Sequence, residues 1–388
     1  MTAECTYQPA RTDDLAVVAD LFAQSYHGCS KEDYRKRLEA YGPDHVRVIR
    51  RAGQTIATGQ LVQVGQFFGG KSVPSWGVAG VAVRPDVRGE GVATFLMEQL
   101  LAEMRAEGIA TSSLYPATTP LYRKSGYERA GLQIQHSLKT APVRARCRDG
   151  QIVPVTDDLC DEMKDVYRRY AIGRNGMMDR SDVWWSHVLD EHGPEPPHGY
   201  LLRFDGQSEG YVLIRRNEKY LDLADYAALT PRAAERILTM ISHQGMRFTE
   251  ARFYGGLNEP LEQTAGNQVT ERRFTNDWMM RIVHLPEALA ARGYNRAVSA
   301  SVEVEIADEL FSDNAGRWTV NIDDGEAHVQ QGGSGAVKMN IRTLASLYSG
   351  FLTADLAART QQLSGPAEQI ATLAAALAGP YPYMSDSF

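Results

Sequence analysis

The sequence predicts an α/β protein of mixed sheets: two similar α/β parts in tandem, followed by a smaller α+β part. Three observations carry this. An apolar strand, a glycine-containing turn and an amphipathic helix follow one another directly across residues 77–108. A weaker form of the same strand–helix pattern returns across 204–241. From about residue 296 the chain reads as an alternating strand, a hairpin and a helix. The expected boundaries are 1–140, 141–295 and 296–388.

Composition agrees with several packed domains. The 388 residues are enough for two or three of them, and an apolar content of 43% supplies their cores. No run approaches the ~18–20 apolar residues of a membrane span. The first residues, Met1–Tyr7, lack the basic stretch and apolar core of a secretory signal. Cys5, Cys29, Cys147 and Cys160 show no C-x-x-C spacing, which points to a reducing, cytoplasmic setting rather than a disulfide framework. No metal site is expected, since His187 and His192 have no third ligand nearby in sequence. A net charge of −7 disfavours nucleic acid as partner and suits a cationic one.

The first part opens with a strand at Tyr7 and a helix through Leu15, Val18, Leu21 and Phe22, with Thr12 or Asp13 as the expected N-cap. Val46–Arg51 and Thr55–Val64 read as a hairpin about Gly53. Gly77–Val83 is an apolar strand, closed by Arg84-Pro85 because proline cannot donate to the ladder. Ala93, Leu96, Met97, Leu100, Leu101 and Met104 then mark one helix face, which Gly108 ends.

The turn between strand and helix carries the chemistry. The first N–H groups of a helix have no intrahelical acceptor, and the helix dipole adds positive potential, so an anion is stabilised there. Gly89 and Gly91 let backbone approach a phosphate, and Arg88 adds a charged donor. A dinucleotide turn needs G-x-G-x-x-G, and the third glycine is replaced by Thr94; a P-loop needs G-K-[ST], which does not follow. The strand Ile109–Tyr115 and the run Leu121–Glu128 complete this part.

In the second part, the turn at Asp205-Gly206 echoes that at Gly53. The strand Tyr220–Ala227 leads to a helix through Ala233, Arg236, Ile237, Met240 and Ile241. Leu229-Thr230-Pro231 stands where the glycine turn stood, so no coenzyme is expected here. His192–Gly199 reads as an exposed loop. In the third part, Val298–Ile306 alternates as a strand, Arg317–Gln330 is a hairpin about Asp324-Gly325, and Leu344, Leu347, Tyr348, Phe351 and Leu352 suggest a helix.

Val81-x-Val83-x-Pro85 followed by Arg88-x-x-Gly91-x-Ala93 resembles the cofactor motif of the GCN5-related N-acetyltransferases (GNAT). The resemblance implies acetyl-CoA as co-substrate. Its pyrophosphate would sit on Arg88, Gly89, Glu90, Gly91, Val92, Ala93 and Thr94, and its acetyl-pantetheine arm along Val81, Ala82 and Val83. Leu121-Tyr122 through Gly126-Tyr127-Glu128 is similar to the usual ending of that domain. With the silent copy, the stretch Arg281–Tyr294 and the final phenylalanine, nearly the whole chain resembles the enhanced intracellular survival (Eis) family.

That resemblance implies tandem GNAT-like domains with a sterol-carrier-like third domain, hexamers, and acetylation of amines of small polycations, aminoglycosides above all. It further implies Tyr127 as general acid and the α-carboxylate of Phe388 as base, with backbone N–H at Val81 or Val83 facing the thioester carbonyl. His27, His45, His136, Trp76, Phe22, Asp20 and Glu32 are weaker substrate-side candidates, and Trp184-Trp185 is read as core or interface. The alternatives are a protein lysine acetyltransferase and a non-enzymatic lipid-binding or scaffold protein.

Overall fold

The N-terminal part is built around a mixed sheet. Its elements are β1 (Cys5–Pro9), α1 (Leu15–Ser25), α2 (Lys31–Tyr41), β2 (Val46–Arg51), β3 (Gln54–Phe68), β4 (Lys71–Val83), α3 (Val92–Ala106), β5 (Thr111–Leu114) and α4 (Thr119–Lys124). The strands lie in the order β1-β2-β3-β4-β5, antiparallel except for the parallel step from β4 to β5. The computed structural model describes residues 5–26, 30–141, 143, 147–189, 196–215, 217–265 and 270–388. These divide into two units. The first is Met1–Ala130, Trp278–Gly379 and Ser387–Phe388; the second is Gly131–Asp277 and Pro380–Asp386.

Two local features of the first unit differ from expectation. A short 3₁₀ turn, Thr12–Asp14, precedes α1, and its capping acid is Asp14 rather than Thr12 or Asp13. The turn brings the Asp14 carboxylate back over the Arg11 N–H at 2.7 Å, where Arg50 also pairs with it. The buried face of α3 starts one residue earlier than expected, at Val92, and continues through Leu96, Met97, Leu100, Leu101 and Met104. Ala93 is only partly buried.

The parallel ladder between β4 and β5 is short. It pairs Ser75 with Thr111, Trp76 with Ser112 and Gly77 with Ser113, and ends there although β4 runs on to Val83. Just beyond, the β3–β4 register slips between Thr58 and Gln60, opposite Gly80 at φ +57°. Such a slip bends a strand and re-aims its residues. A Cβ at Gly80 would fall 2.7 Å from Phe22 Cζ, so this bend requires glycine. β5 ends at Leu114 while β4 continues, and the region beside Val78–Val83 beyond the ladder is called the wedge below.

The second unit repeats this plan. It contains most of β6 (Glu128–Lys139), then β7 (Gln151–Pro154), α5 (Cys160–Ala171), β8 (Met178–Asp179), α6 (Asp182–Val188), β9 (His198–Phe204), β10 (Gln207–Arg215), β11 (Leu221–Ala228), α7 (Pro231–His243), β12 (Glu250–Gly255) and α8 (Pro260–Ala265). The order is β6-β12-β11-β10-β9-β7. Its parallel step, β11 to β12, pairs only Leu221 with Ala251 and Asp222 with Arg252. Thr230 Oγ1 caps α7 by accepting from Ala233 N, in place of a glycine turn. His198 and Gly199 begin β9 rather than lying in a loop, because they pair with Ile214 and Leu213. Residues 190–195 of that loop, His192 among them, lie outside the described residues.

The chain returns to the first unit along β13 (Thr270–Ile282), whose Met279–Ile282 end pairs antiparallel with β5. Then come α9 (Leu285–Ala291), β14 (Ala300–Ala307), β15 (Gly316–Asp323), β16 (Glu326–Gln331), β17 (Val337–Asn340), α10 (Ile341–Ser349), α11 (Ala354–Arg359), β18 (Leu363–Ser364) and α12 (Ala367–Leu377). A second sheet runs β16-β15-β14-β17-β18. Gly350 at φ +89° ends α10, so Phe351 and Leu352 lie beyond the helix and not on its face. This third part docks on the first through a glycine pair. A Cβ at Gly69 would fall 2.0 Å from the Gly293 carbonyl oxygen, so only glycine permits the approach.

Among the described residues, no helix is long and apolar enough to cross a membrane.

Candidate active site

The glycine turn has the shape its sequence requires. Gly89 and Gly91 sit at φ +86° and +84°, and a Cβ on either would meet nothing within 4 Å. The space beside both glycines is therefore open. Phe95 N makes the first helical bond to the Gly91 carbonyl, at 3.0 Å, so the N–H groups of Val92, Ala93 and Thr94 precede the ladder. Glu90 would oppose an anion, but Arg51 Nη1 holds its carboxylate at 2.7 Å. Arg88 is exposed. Its guanidinium donates to the Val83 carbonyl at 3.1 Å and lies 3.4 Å from Ser25 Oγ.

The end of β4, paired with β3 but past its ladder with β5, borders the wedge. Val81 and Val83 are partly buried, packed against the α3 side of the core. Ala82 points the other way, into the cluster with Val18 and Phe22, so only its backbone is available to a ligand. Tyr26, one turn of α1 beyond Phe22, donates its hydroxyl to the Val81 carbonyl at 2.8 Å. Sequence reasoning named Phe22 and missed Tyr26. The i, i+4 spacing of two aromatics on a helix with a buried face was the available signal.

Tyr127 lies at the closed end of the wedge. Its side chain is fully buried, and its hydroxyl is 2.8 Å from Ser112 Oγ. Ser112 donates its own proton to the Trp76 carbonyl at 2.8 Å, so Tyr127 is the donor in the pair. Burial pushes the phenol well above its usual range, while the Arg281 charge pulls it back. Arg281 is itself fully buried and bonds both oxygens of Asp308, at 2.8 and 2.6 Å. A Cβ at Gly126 would fall 2.6 Å from Arg281 Nη1, so the glycine before Tyr127 makes room for this cation. Neighbouring Tyr122 is pushed up to about 12 by burial.

Phe388 packs against β4 one position further on. A Cβ at Gly77 would fall 2.7 Å from Phe388 Cε2 and 2.9 Å from Cζ. The ring also meets Tyr115 edge-on, with centroids 5.6 Å apart. Gly77 follows Trp76, whose carbonyl holds Ser112. The ring of the final residue thus meets β4 at Gly77, and the Tyr127 hydroxyl reaches it through Ser112 at Trp76, the adjacent position.

The weaker candidates separate. Trp76 contributes its carbonyl and packs against the core. Asp20 pairs with Lys31, and Glu32 with Arg35, as surface charges commonly do. His45 lies in the turn before β2, where its carbonyl accepts from Leu61 N. His136 belongs to the second unit. There β6 pairs it with Phe253, its ring stacks on that residue, and Nε2 bonds to the Gly256 carbonyl at 2.9 Å. Trp184 and Trp185 are buried in the second unit. His27 lies outside the described residues.

Comparison with known proteins decides the family. Residues 6–130 and residues 176–282 each match an acetyltransferase (GNAT) domain family, and residues 285–385 match the sterol carrier protein domain. The chain is similar to the N-acetyltransferase Eis of Mycobacterium tuberculosis, at 25% identity over 75% of this chain and 74% of that one. This chain is an Eis-like N-acetyltransferase. An uncharacterized N-acetyltransferase of Streptomyces coelicolor is 27% identical over 73% of each chain. The crystal structure of a GCN5-related N-acetyltransferase from Anabaena variabilis superposes with a TM-score of 0.92 at 27% identity, covering 99% of this chain and 100% of that one. The Eis-like fold is thus two GNAT domains followed by a sterol carrier protein domain, and acetyl-CoA use follows from it.

Proposed function

We propose that this Eis-like enzyme transfers the acetyl group of acetyl-CoA to an amine of a small polycation, with aminoglycosides as the substrate class. The observation that carries the reading is that Tyr127, through Ser112, and Phe388, through Gly77, each reach β4 at neighbouring positions where its ladder with β5 ends. The open glycine turn lies at the other end of β4.

The chemistry follows from these positions. Diphosphate oxygens accept from the N–H groups of the first turn of α3. The acetyl-pantetheine arm lies along Val81–Val83 and sets the thioester in the wedge, where fixed geometry supplies much of the rate. The substrate ammonium gives a proton to the terminal carboxylate of Phe388. The free amine attacks the thioester carbonyl, and the C–N bond forms. A β4 N–H at Val81 or Val83 stabilises the oxyanion. The C–S bond then breaks and the thiolate takes the Tyr127 proton, while the second proton that the attacking nitrogen sheds in becoming an amide passes through water to the phenolate and restores it. A terminal carboxylate, with an ordinary pKa of about 3.3–3.7, is ionised and able to accept. The charge of −7 favours encounter with polycations.

The test is a thiol-release screen of aminoglycosides, polyamines and lysine peptides, run beside a variant lacking Phe388 and one extended beyond it. Aminoglycoside turnover that disappears in both variants is expected. Turnover of lysine peptides alone would overturn the substrate class, and full activity of both variants would remove Phe388. Assembly as a hexamer belongs to the same reading; sedimentation showing a monomer would contradict it.

A further inference from the structure

The second GNAT copy has kept a fold whose coenzyme turn it has lost. Its parallel step between β11 and β12 still opens after two residue pairs. The opening is filled. Tyr226 and Phe253 pack edge to face with centroids 5.3 Å apart, and Tyr170 and Tyr226 both donate to the buried carboxylate of Glu259. The C-terminal segment Pro380–Asp386 packs in the same unit. A Cβ at Gly256, just past β12, would fall 2.5 Å from Tyr383 Cδ1. Glycine therefore admits the tail in this copy, as Gly77 admits Phe388 in the other.

The rest of the segment is held with more contacts than a terminus needs. Leu132 N donates to the Pro382 carbonyl at 3.2 Å, Met384 N to the Leu132 carbonyl at 3.1 Å, and Tyr383 N to the Asn175 carbonyl at 3.1 Å. Tyr383, Met384 and Asp386 are buried. Asp386 Oδ1 accepts from Arg180 Nε at 2.9 Å and from Trp184 Nε1 at 2.8 Å. Arg180 is 2% exposed and also pairs with Asp225 at 2.5 Å, which Tyr211 bonds in turn. Its guanidinium stacks 3.8 Å over Tyr167 and 4.6 Å over Trp185. Buried ion pairs are poor sources of stability but demand one geometry. Termini otherwise fray.

We propose that the second copy is a dock for the C-terminal tail, and that Asp386, clamped by Arg180 and Trp184, is the positioning residue for the terminal carboxylate two residues on. The catalytic consequence rests on the carboxylate reading above; the docking does not. The lost coenzyme slot has become an anchor.

The test uses the full chain and two readouts. Timed digestion with a carboxypeptidase, followed by mass spectrometry, reports release of Phe388. Asp386→Ala removes both anchors but leaves Arg180 paired with Asp225, and Phe388 should be released at least about tenfold faster than in the wild type. In the same variant kcat should fall about tenfold or more, with KM for acetyl-CoA unchanged. Asp386→Asn, which keeps an acceptor for Arg180 and Trp184, should restore most of both. Unchanged release from folded Asp386→Ala overturns the dock. Faster release with unchanged kcat supports the dock and removes the carboxylate from the mechanism. Where Asp386→Ala fails to fold, Trp184→Phe deletes one of the two anchors, and unchanged release there overturns the dock as well.

Discussion

Gly77→Ala separates activity from stability, because Gly77 occupies an ordinary strand conformation and owes its identity to a neighbour. A methyl group there falls 2.7 and 2.9 Å from two carbons of the Phe388 ring and 3.1 Å from Val62 Cβ. Carbon atoms rest at about 3.5–4.0 Å, so the ring must retreat by about 1 Å. A displacement of that size at a reacting group is worth about 100-fold. The strand itself gains roughly 0.5–1 kcal/mol from alanine in place of glycine, offset by the tight Val62 contact. The expected result is kcat lower by about 100-fold with Tm within about 4 °C of the parent. Steady-state thiol release and calorimetry measure the two. A fully active Gly77→Ala enzyme would refute the argument that the Phe388 ring fixes the terminal carboxylate.

Three further outcomes follow from the geometry. Tyr127→Phe should lower kcat by about 10²–10⁴-fold with little change in acetyl-CoA affinity; because Ser112 keeps its bond to the Trp76 carbonyl, the fold should lose only about 1 kcal/mol. Unchanged turnover would take Tyr127 out of the reaction. Gly91→Val places a branched side chain at φ +84° above the open turn, and should raise KM for acetyl-CoA at least about tenfold while costing about 1–2 kcal/mol of stability; an unaltered KM would argue against diphosphate binding there. Burial raises the phenols of Tyr127, Tyr167, Tyr170, Tyr211, Tyr226 and Tyr383 above 10. The unfolded chain then releases their protons first, so their contribution is complete below pH about 10 and is lost above it, by up to about 1.4 kcal/mol per pH unit for each. Urea unfolding at pH 9, 10 and 11 checks the slope, and a flat profile would contradict it.

What the sequence made legible was local. The strand, turn and helix around Arg88–Thr94 could be read because their signals lie within a few residues of one another: proline closing the strand, two glycines, and a face repeating every three or four positions. Hairpins at Gly53, Gly206 and Gly325 were legible for the same reason. Partnerships set by register were not. Nothing local places Ser112 under Tyr127, or Arg281 beside Gly126 with Asp308 on its far side, because β5 and β13 must pair before those side chains meet. His136 shows the same: it falls within the expected first part in sequence, while the ladder with β12 carries it into the second unit. The cap at Asp14 was missed because a 3₁₀ turn shifted the helix start. Glycines inside apolar strands were the overlooked signal, since Gly77 and Gly80 each mark a close approach that a side chain would block.

The central claim is that main-chain N–H groups at the start of α3 hold the diphosphate of acetyl-CoA and so set its thioester in the β4–β5 wedge. A crystal structure with coenzyme A bound tests this most directly. Diphosphate oxygens within hydrogen-bonding distance of the N–H groups between Gly89 and Thr94, with the pantetheine arm beside Val81–Val83, are the predicted result. Coenzyme A bound elsewhere, with that turn contacting only solvent, would contradict the account.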